Sequence, residues 1–259
     1  SRMDGGAVES LGFDHVFLAA GAIGSTRIML SSMEAYEVRV ELIDSQKFLM
    51  PLFRLKGAAF DVENMNSLAS LFAELELPEL GGNIMHMQLS TVSEFIVRKL
   101  GADRSRVKAA LFSPLLRRVI MAWCSLHSRH SGGLQAVLRR DVEGGEQLHL
   151  SHLWLERARA SVKIATRALM KLAPRFRTLA LPTLAQLSSP GAGNHTGGSF
   201  PMRTSPSARF DTDMLGRPQG YRRLHLVDSV VMPSIPATTI ALLMMANADR
   251  IASQAGLGR

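Results

Sequence analysis

Between Gly193 and Ala252 the chain places one histidine beside a glycine pair, then a short apolar run, then the start of an apolar helix. The histidine stretch is His195, Thr196, Gly197, Gly198 and Ser199. Glycines there let the backbone come closer to a neighbour or a ligand than any other residue allows. Leu224 to Val227 reads as a buried strand that ends at Asp228 and Ser229. Pro236, Ala237, Thr238 and Thr239 then precede an apolar run from Ile240 to Ile251, which reads as a helix with Thr238 or Thr239 near its N-cap. A loop histidine held between a strand end and a helix start belongs to an α/β arrangement.

The beginning of the chain has the same character. A hairpin is expected around Asp4, Gly5 and Gly6. An apolar strand from Val16 to Ala20 follows and, past Gly21 and Gly24, a helix from about Ser25. The middle of the chain changes period. Val38, Val40 and Leu42 alternate with charged residues, and similar alternation recurs at Met87 and Leu89, Ile120 to Ser125, Leu134 to Arg139 and Gln147 to His152, which are strand signals. Met65, Leu68, Phe72 and Leu75 predict an amphipathic helix ended by Pro78 and the glycines Gly81 and Gly82. Further helices are expected over Thr91 to Leu100 and over Leu155 to Ala173, the second stopped by Pro174. The expected fold class is therefore α/β of mixed α+β character, with a largely antiparallel sheet and flanking helices in the middle. Residues 188–193, SSPGAG, form a turn-rich crossing back toward the first unit.

Composition removes several functions. The net charge of +8 raises nucleic acid as a partner. However, Arg159, Lys163, Arg167 and Lys171 recur opposite Leu155, Ala158, Val162, Ala165, Leu169 and Leu172, which is one solvated face of a helix. Two Trp and two Tyr offer little base stacking, so no nucleic acid is expected. A single cysteine, Cys124, excludes an internal disulfide framework and points to a reducing, cytoplasmic setting. Cys124, His127 and His130 have a metal-like spacing without a fourth ligand, so no metal is expected. Glu74, Glu76 and Glu79 read as solvated carboxylates at a helix end and turn. No apolar run reaches the roughly 20 residues of a transmembrane helix; the longest candidate is Ile235 to Met245.

The histidine block, Leu224 to Ser229, Pro233, Pro236 to Ile240 and the run Ala248, Asp249, Arg250, Ile251 together resemble the carboxy-terminal block of the glucose-methanol-choline (GMC) family of flavoprotein oxidoreductases. Phe13 to Leu30 is similar to the strand, Gly-rich turn and helix that the family places beside its flavin nucleotide. The family's opening G-x-G-x-x-G turn, which holds the FAD pyrophosphate on a helix N-terminus, has no counterpart in the sequence. The resemblance therefore implies the carboxy-terminal portion of such an enzyme, whose partner would be the missing N-terminal half of the same protein. It divides the chain into part of a Rossmann-like FAD-binding domain over 1–33, a substrate domain over 34–190, and a return to the FAD-binding domain over 191–259.

By this resemblance the chain is an FAD-dependent oxidoreductase acting on CH–OH groups. Its substrate would be a small-molecule alcohol, sugars and other polyols included, and its electrons would pass to a separate acceptor or to oxygen. His195 would be the base, a role that suits imidazole near neutral pH; the alternative is a loop histidine that satisfies backbone groups. Gly21, Ala22 and Ser25 would wall the nucleotide, and Asp228 and Ser229 would contact the ribityl-pyrophosphate region; Asp228 reads equally as a strand-end turn. Pro236, Ala237 and Thr238 would aim a helix N-terminus at the flavin, unless that helix is simply buried core. Ile235 stands where most members carry a second His or Asn, and it can neither donate nor accept a hydrogen bond. That favours a dehydrogenase over an oxidase, with Asn194 or Ser234 as compensating groups. Trp123, Met87 and His152 are candidates for the substrate cavity. The rival readings are a non-catalytic fragment or binding module that has lost its flavin site, and a basic interaction protein.

Overall fold

A computed structural model describes residues 10–56, 69, 71–92 and 115–257. Along the chain these form β1 (Val16–Leu18), α1 (Gly21–Ser32), β2 (Arg39–Asp44), β3 (Lys47–Arg54), β4 (Leu71–Leu77), β5 (Asn83–Thr91), β6 (Val119–Ser125), β7 (Gly133–Arg140), β8 (Glu146–Leu153), α2 (Glu156–Leu172), β9 (Thr178–Ala180), β10 (Gln186–Leu187), β11 (Thr196–Gly197), β12 (Leu224–Leu226) and α3 (Ala241–Ala252). The fold is mixed α/β. A six-stranded antiparallel sheet runs β10-β3-β6-β5-β4, with β9 also on β3, and a four-stranded antiparallel sheet runs β11-β2-β7-β8. β1 and β12 pair in parallel.

Strand alternation decides what each face of the six-stranded sheet does. Phe48, Met50, Met85, Met87, Ala122 and Cys124 share one buried cluster with Ala165 and Leu169 of α2. Ala158, Ser161 and Ala165 are small enough to bring α2 close to the sheet, while Arg159, Lys163, Arg167 and Lys171 remain exposed. The opposite face carries Lys47, Ser125, His86 and Glu74 in one cross-strand row. The next row is Leu49, Trp123, Gln88 and Phe72. One face is thus a core and the other a half-polar surface.

β3 crosses the sheet despite Pro51, which cannot donate to a ladder. The Pro51 carbonyl accepts from Leu181 N at 3.0 Å. On that side β10 pairs with Phe48 and Leu49, and β9 with Leu52 to Arg54, so the missing N–H falls in the gap between two short strands. A second buried cluster, with Met29, Leu30, Val40, Leu138, Phe200, Leu226 and Val230, joins α1, β2, β7 and β12. Gly21, at φ +79°, turns the chain from β1 directly into α1, four residues earlier than the expected start at Ser25.

Phe72 and Leu75 were expected on a helix and instead lie on β4, paired with Gln88 and Met85. The period-two series Ala73, Leu75, Leu77 packs toward the α2 core, and burial of that series overrides the spacing of three and four. Met65 and Leu68 lie outside the described residues, as do the hairpin at Asp4 to Gly6 and most of the helix expected over Thr91 to Leu100. The N-cap of α3 is Ile240, with no side-chain cap, rather than Thr238 or Thr239. Among the described residues no helix is long and apolar enough to cross a membrane.

Candidate functional site

The carboxyl ends of β1 and β12 lie side by side, since Leu18 pairs with Leu226. Ligands of open α/β sheets bind at that end of parallel strands. The chain leaves β1 through Gly21, and an added Cβ at Gly21 would meet open space. The Ser25 hydroxyl accepts from Ala20 N at 3.0 Å and donates to Asp228 Oδ2 at 2.5 Å. Asp228 Oδ1 accepts from Val230 N at 3.1 Å, which caps the short helix that begins at Ser229. Ser25 and Asp228 therefore cross-link the two strand ends. The N-terminus of α1 has no side-chain cap and no acidic residue in its first turn, so its leading N–H groups carry the partial positive charge of a helix start.

His195 is tied to this crevice by glycine. A Cβ on Gly197 would stand 2.1 Å from Ser229 O, and one on Gly198 would stand 2.7 Å from Ile43 Cγ1 and 2.9 Å from Met232 O. Only bare backbone permits Gly198 N to donate to Ser229 O at 2.9 Å. β11 pairs with β2, Thr196 opposite Asp44 and Gly197 opposite Ile43, and Ser45 N donates to His195 O at 3.1 Å. Ile43 in turn packs on Met232, Ile235 and Ile240. The histidine thus sits where the strand-end crevice, the approach to α3 and the sheets meet.

The electrostatics converge at the same place. Among the described residues four buried side-chain polar atoms have no hydrogen-bond partner, and three of them are Asp44 Oδ1, His86 Nε2 and His195 Nδ1. Orphaned buried polar atoms are rare in folded proteins. Lys47 links them: its charge lowers the pKa of both Asp44 and His195, and it shares a cross-strand row with His86. Burial, then Lys47, then His86, hold the His195 pKa below its ordinary 6.5. Burial raises the Asp44 carboxyl from 3.8 to about 6, although the Gly191 N–H and Lys47 oppose it. Asp44 Oδ2 accepts from Gly191 N at 2.7 Å, which pins the loop leading to His195.

Gly21, Ala22, Ser25, Asp228 and Ser229 are brought together at the strand ends, and His195 is joined to them through Gly197 and Gly198. Pro236, Ala237 and Thr238 lie just ahead of the uncapped α3. Ile235 is fully buried, with its N–H donating to Ser128 Oγ and its carbonyl accepting from Ser128 N, both at 2.9 Å. Asn194 is exposed, with φ +58°, and Ser234 is half-buried. Trp123 is on the half-polar face and donates to Ser90 Oγ at 3.3 Å. Met87 lies on the core face under α2, and His152 lies on β8 in the other sheet. Cys124 is buried in the core and His130 meets Asn83 at 3.0 Å.

Asp44, Lys47 and His86 were not anticipated. The alternation Ile84, His86, Gln88, Ser90 against Met85, Met87, Leu89 carried the signal for His86, since a strand with one apolar and one polar face presents its polar face elsewhere than to the core. Glu74 is not on a helix end; its Oε1 lies 3.4 Å from His86 Nδ1.

No family model and no curated protein matches the sequence. Among solved structures the chain is similar to the crystal structure of pyridoxine 4-oxidase from Mesorbium loti, at 13% identity and a TM-score of 0.48, covering 93% of this chain and 51% of that one. The chain spans about half the length of that structure.

Proposed function

We propose that this chain supplies the alcohol-oxidising site of an FAD-dependent oxidoreductase acting on CH–OH groups, with His195 as proton acceptor. The observation that supports it most is the convergence of a strand-end crevice, an uncapped helix N-terminus and a half-buried histidine whose buried Nδ1 has no partner. The residues fit the flavin nucleotide: Gly21, Ala22 and Ser25 would line its open side, Asp228 and Ser229 would meet its ribityl-phosphate portion, and Pro236, Ala237 and Thr238 would present the start of α3 to the ring. When bound, FAD supplies the hydride acceptor. Everything else falls to the chain.

His195 takes the hydroxyl proton while the C–H bond gives its hydride away, leaving a carbonyl product. A base for this step must be neutral before reaction. Burial and the nearby Lys47 charge keep His195 neutral to lower pH than a free imidazole. Ile235 is buried hydrocarbon packed with Ile43, which pairs with Gly197, and hydrocarbon at this position supports a dehydrogenase using a separate acceptor. The surface around β1 supports a further body of chain packing there. Parallel strands are normally covered on both faces, yet Val16, Ile23 and Ile28, and on α3 Leu242, Leu243 and Met245, are exposed. A nucleotide-binding half carrying the Gly-rich pyrophosphate turn is proposed as the cover.

The experiment is anaerobic titration of the FAD-loaded protein, the chain joined to its proposed nucleotide-binding half, with a panel of primary and secondary alcohols. Loss of the oxidised flavin absorbance with a matching yield of carbonyl product supports the reading. A bound flavin that dithionite reduces and no alcohol does would overturn it.

A further inference from the structure

The half-polar face of the six-stranded sheet holds a buried histidine that the proposed reaction leaves unused. His86 is 8% exposed and lies on β5, between Ser125 of β6 and Glu74 of β4. Phe72 stacks on its ring at 5.6 Å between centroids. Its Nδ1 lies 3.4 Å from Glu74 Oε1. An ionised carboxylate only accepts, so this contact places a proton on Nδ1. In the neutral ring Nε2 is then a hydrogen-bond acceptor, and it is the atom left buried without a partner. A buried acceptor lacking its donor costs roughly 1–3 kcal/mol, and a ligand that brings the donor removes that cost.

We infer that His86, oriented by Glu74, is a second substrate-binding residue of the His195 site, its Nε2 accepting a hydrogen bond from an O–H or N–H of the substrate other than the reacting hydroxyl. The inference rests on the alcohol-oxidising reading for the role of His195. Its geometric support is separate: Lys47, in the row of His86, also reaches the loop that carries His195, its side chain standing 3.5 Å from where a Cβ on Gly193 would lie, and both histidines have an orphaned ring nitrogen. The half-buried Lys47 ammonium, in the same row, has no hydrogen bond or ion pair among the described residues and is available to donate to the same substrate oxygen. The Trp123 ring in the adjoining row is 36% exposed and offers an apolar floor. A substrate with one hydroxyl would satisfy His195 alone. The arrangement selects an alcohol with a second hydrogen-bond donor.

The test uses glycerol and n-propanol, which have the same carbon count and differ in hydroxyl number. The chain with isotope-labelled histidine is titrated with each, and the imidazole nitrogens are followed by NMR. The expected result is a saturable displacement of the His86 Nε2 resonance with glycerol, a much smaller one with n-propanol, and a proton on Nδ1. Glu74→Ala, which removes the acceptor for the Nδ1 proton, is expected to weaken glycerol binding roughly tenfold, the effect of one hydrogen bond, with the melting curve unchanged. Equal responses to both alcohols, or none at His86, would overturn the inference. In the FAD-loaded protein His86→Phe is expected to raise KM for a polyhydroxylated substrate about tenfold while kcat changes little. A fall in kcat with unchanged KM contradicts the binding role. Should no alcohol reduce the flavin of the parent, the oxidoreductase reading fails, and the NMR titration still decides the role of His86.

Discussion

Asp44 lies on β2 with no exposed surface, one oxygen on the Gly191 N–H and the other without a partner. Burial lifts its carboxyl from 3.8 to about 6. Each tenfold change in acidity corresponds to 1.36 kcal/mol, so the rise amounts to about 3 kcal/mol. The sign follows from which state holds the proton. Below pH ~3 the carboxyl is largely neutral in both folded and unfolded chains and opposes folding in neither. As the pH climbs from 3.8 to about 6 the unfolded chain releases the proton while the folded chain holds it, so stability falls across that window and levels off above it. Asp44→Asn is neutral throughout, keeps an acceptor for Gly191 and replaces the orphaned oxygen with an amide. The variant is expected to be more stable than the parent above pH ~7 by up to about 3 kcal/mol, with the difference vanishing near pH ~3. Urea unfolding followed by tryptophan fluorescence across that range measures it. A variant less stable than the parent at pH ~8, or a difference that does not change with pH, would refute the reasoning.

Gly197→Ala places a methyl 2.1 Å from Ser229 O and is expected to cost roughly 3 kcal/mol or more; unfolding within 1 kcal/mol of the parent, on the same scale, would deny the close approach. Ile235→Asn buries an amide in the cluster of Met232 and Ile240, so a loss of about 3 kcal/mol is expected, and any change in oxygen reactivity must be read in a variant shown to be folded. The chain alone is expected to bind FAD weakly, since the Gly-rich pyrophosphate turn is not in its sequence; saturable submicromolar quenching of flavin fluorescence by these 259 residues would contradict this.

The elements with clean periodicity were legible in the sequence. α2 follows from its small and basic stripes, and β2, β6, β7 and β8 follow from alternation within one or two residues. β3 was hidden by Pro51, whose tolerance depends on two short neighbours that arrive more than a hundred residues later. β4 was hidden because Leu75 fits both the spacing of three from Phe72 and the period-two series with Ala73 and Leu77, and only pairing with β5 decides between them. At the site, His195, Ser25 and Asp228 stood out through the residues around them. Asp44, Lys47 and His86 did not, because their importance comes from register across separate strands, which no local pattern encodes. The phase of β5 and β6 puts Trp123 on the half-polar face and Met87 on the core face, a distinction the strand alternation had left open.

The claim on which the rest depends is that His195 accepts the proton of the alcohol. His195→Ala in the FAD-loaded protein, compared with the parent in anaerobic single-turnover reduction and normalised to bound flavin, tests it directly. The account predicts retained FAD, reduction slowed by roughly 10²- to 10⁴-fold, and, in the parent, an acid limb of the pH profile that inflects below 6.5 because burial and Lys47 depress the imidazole. Near-parental reduction per bound flavin in the variant would contradict it.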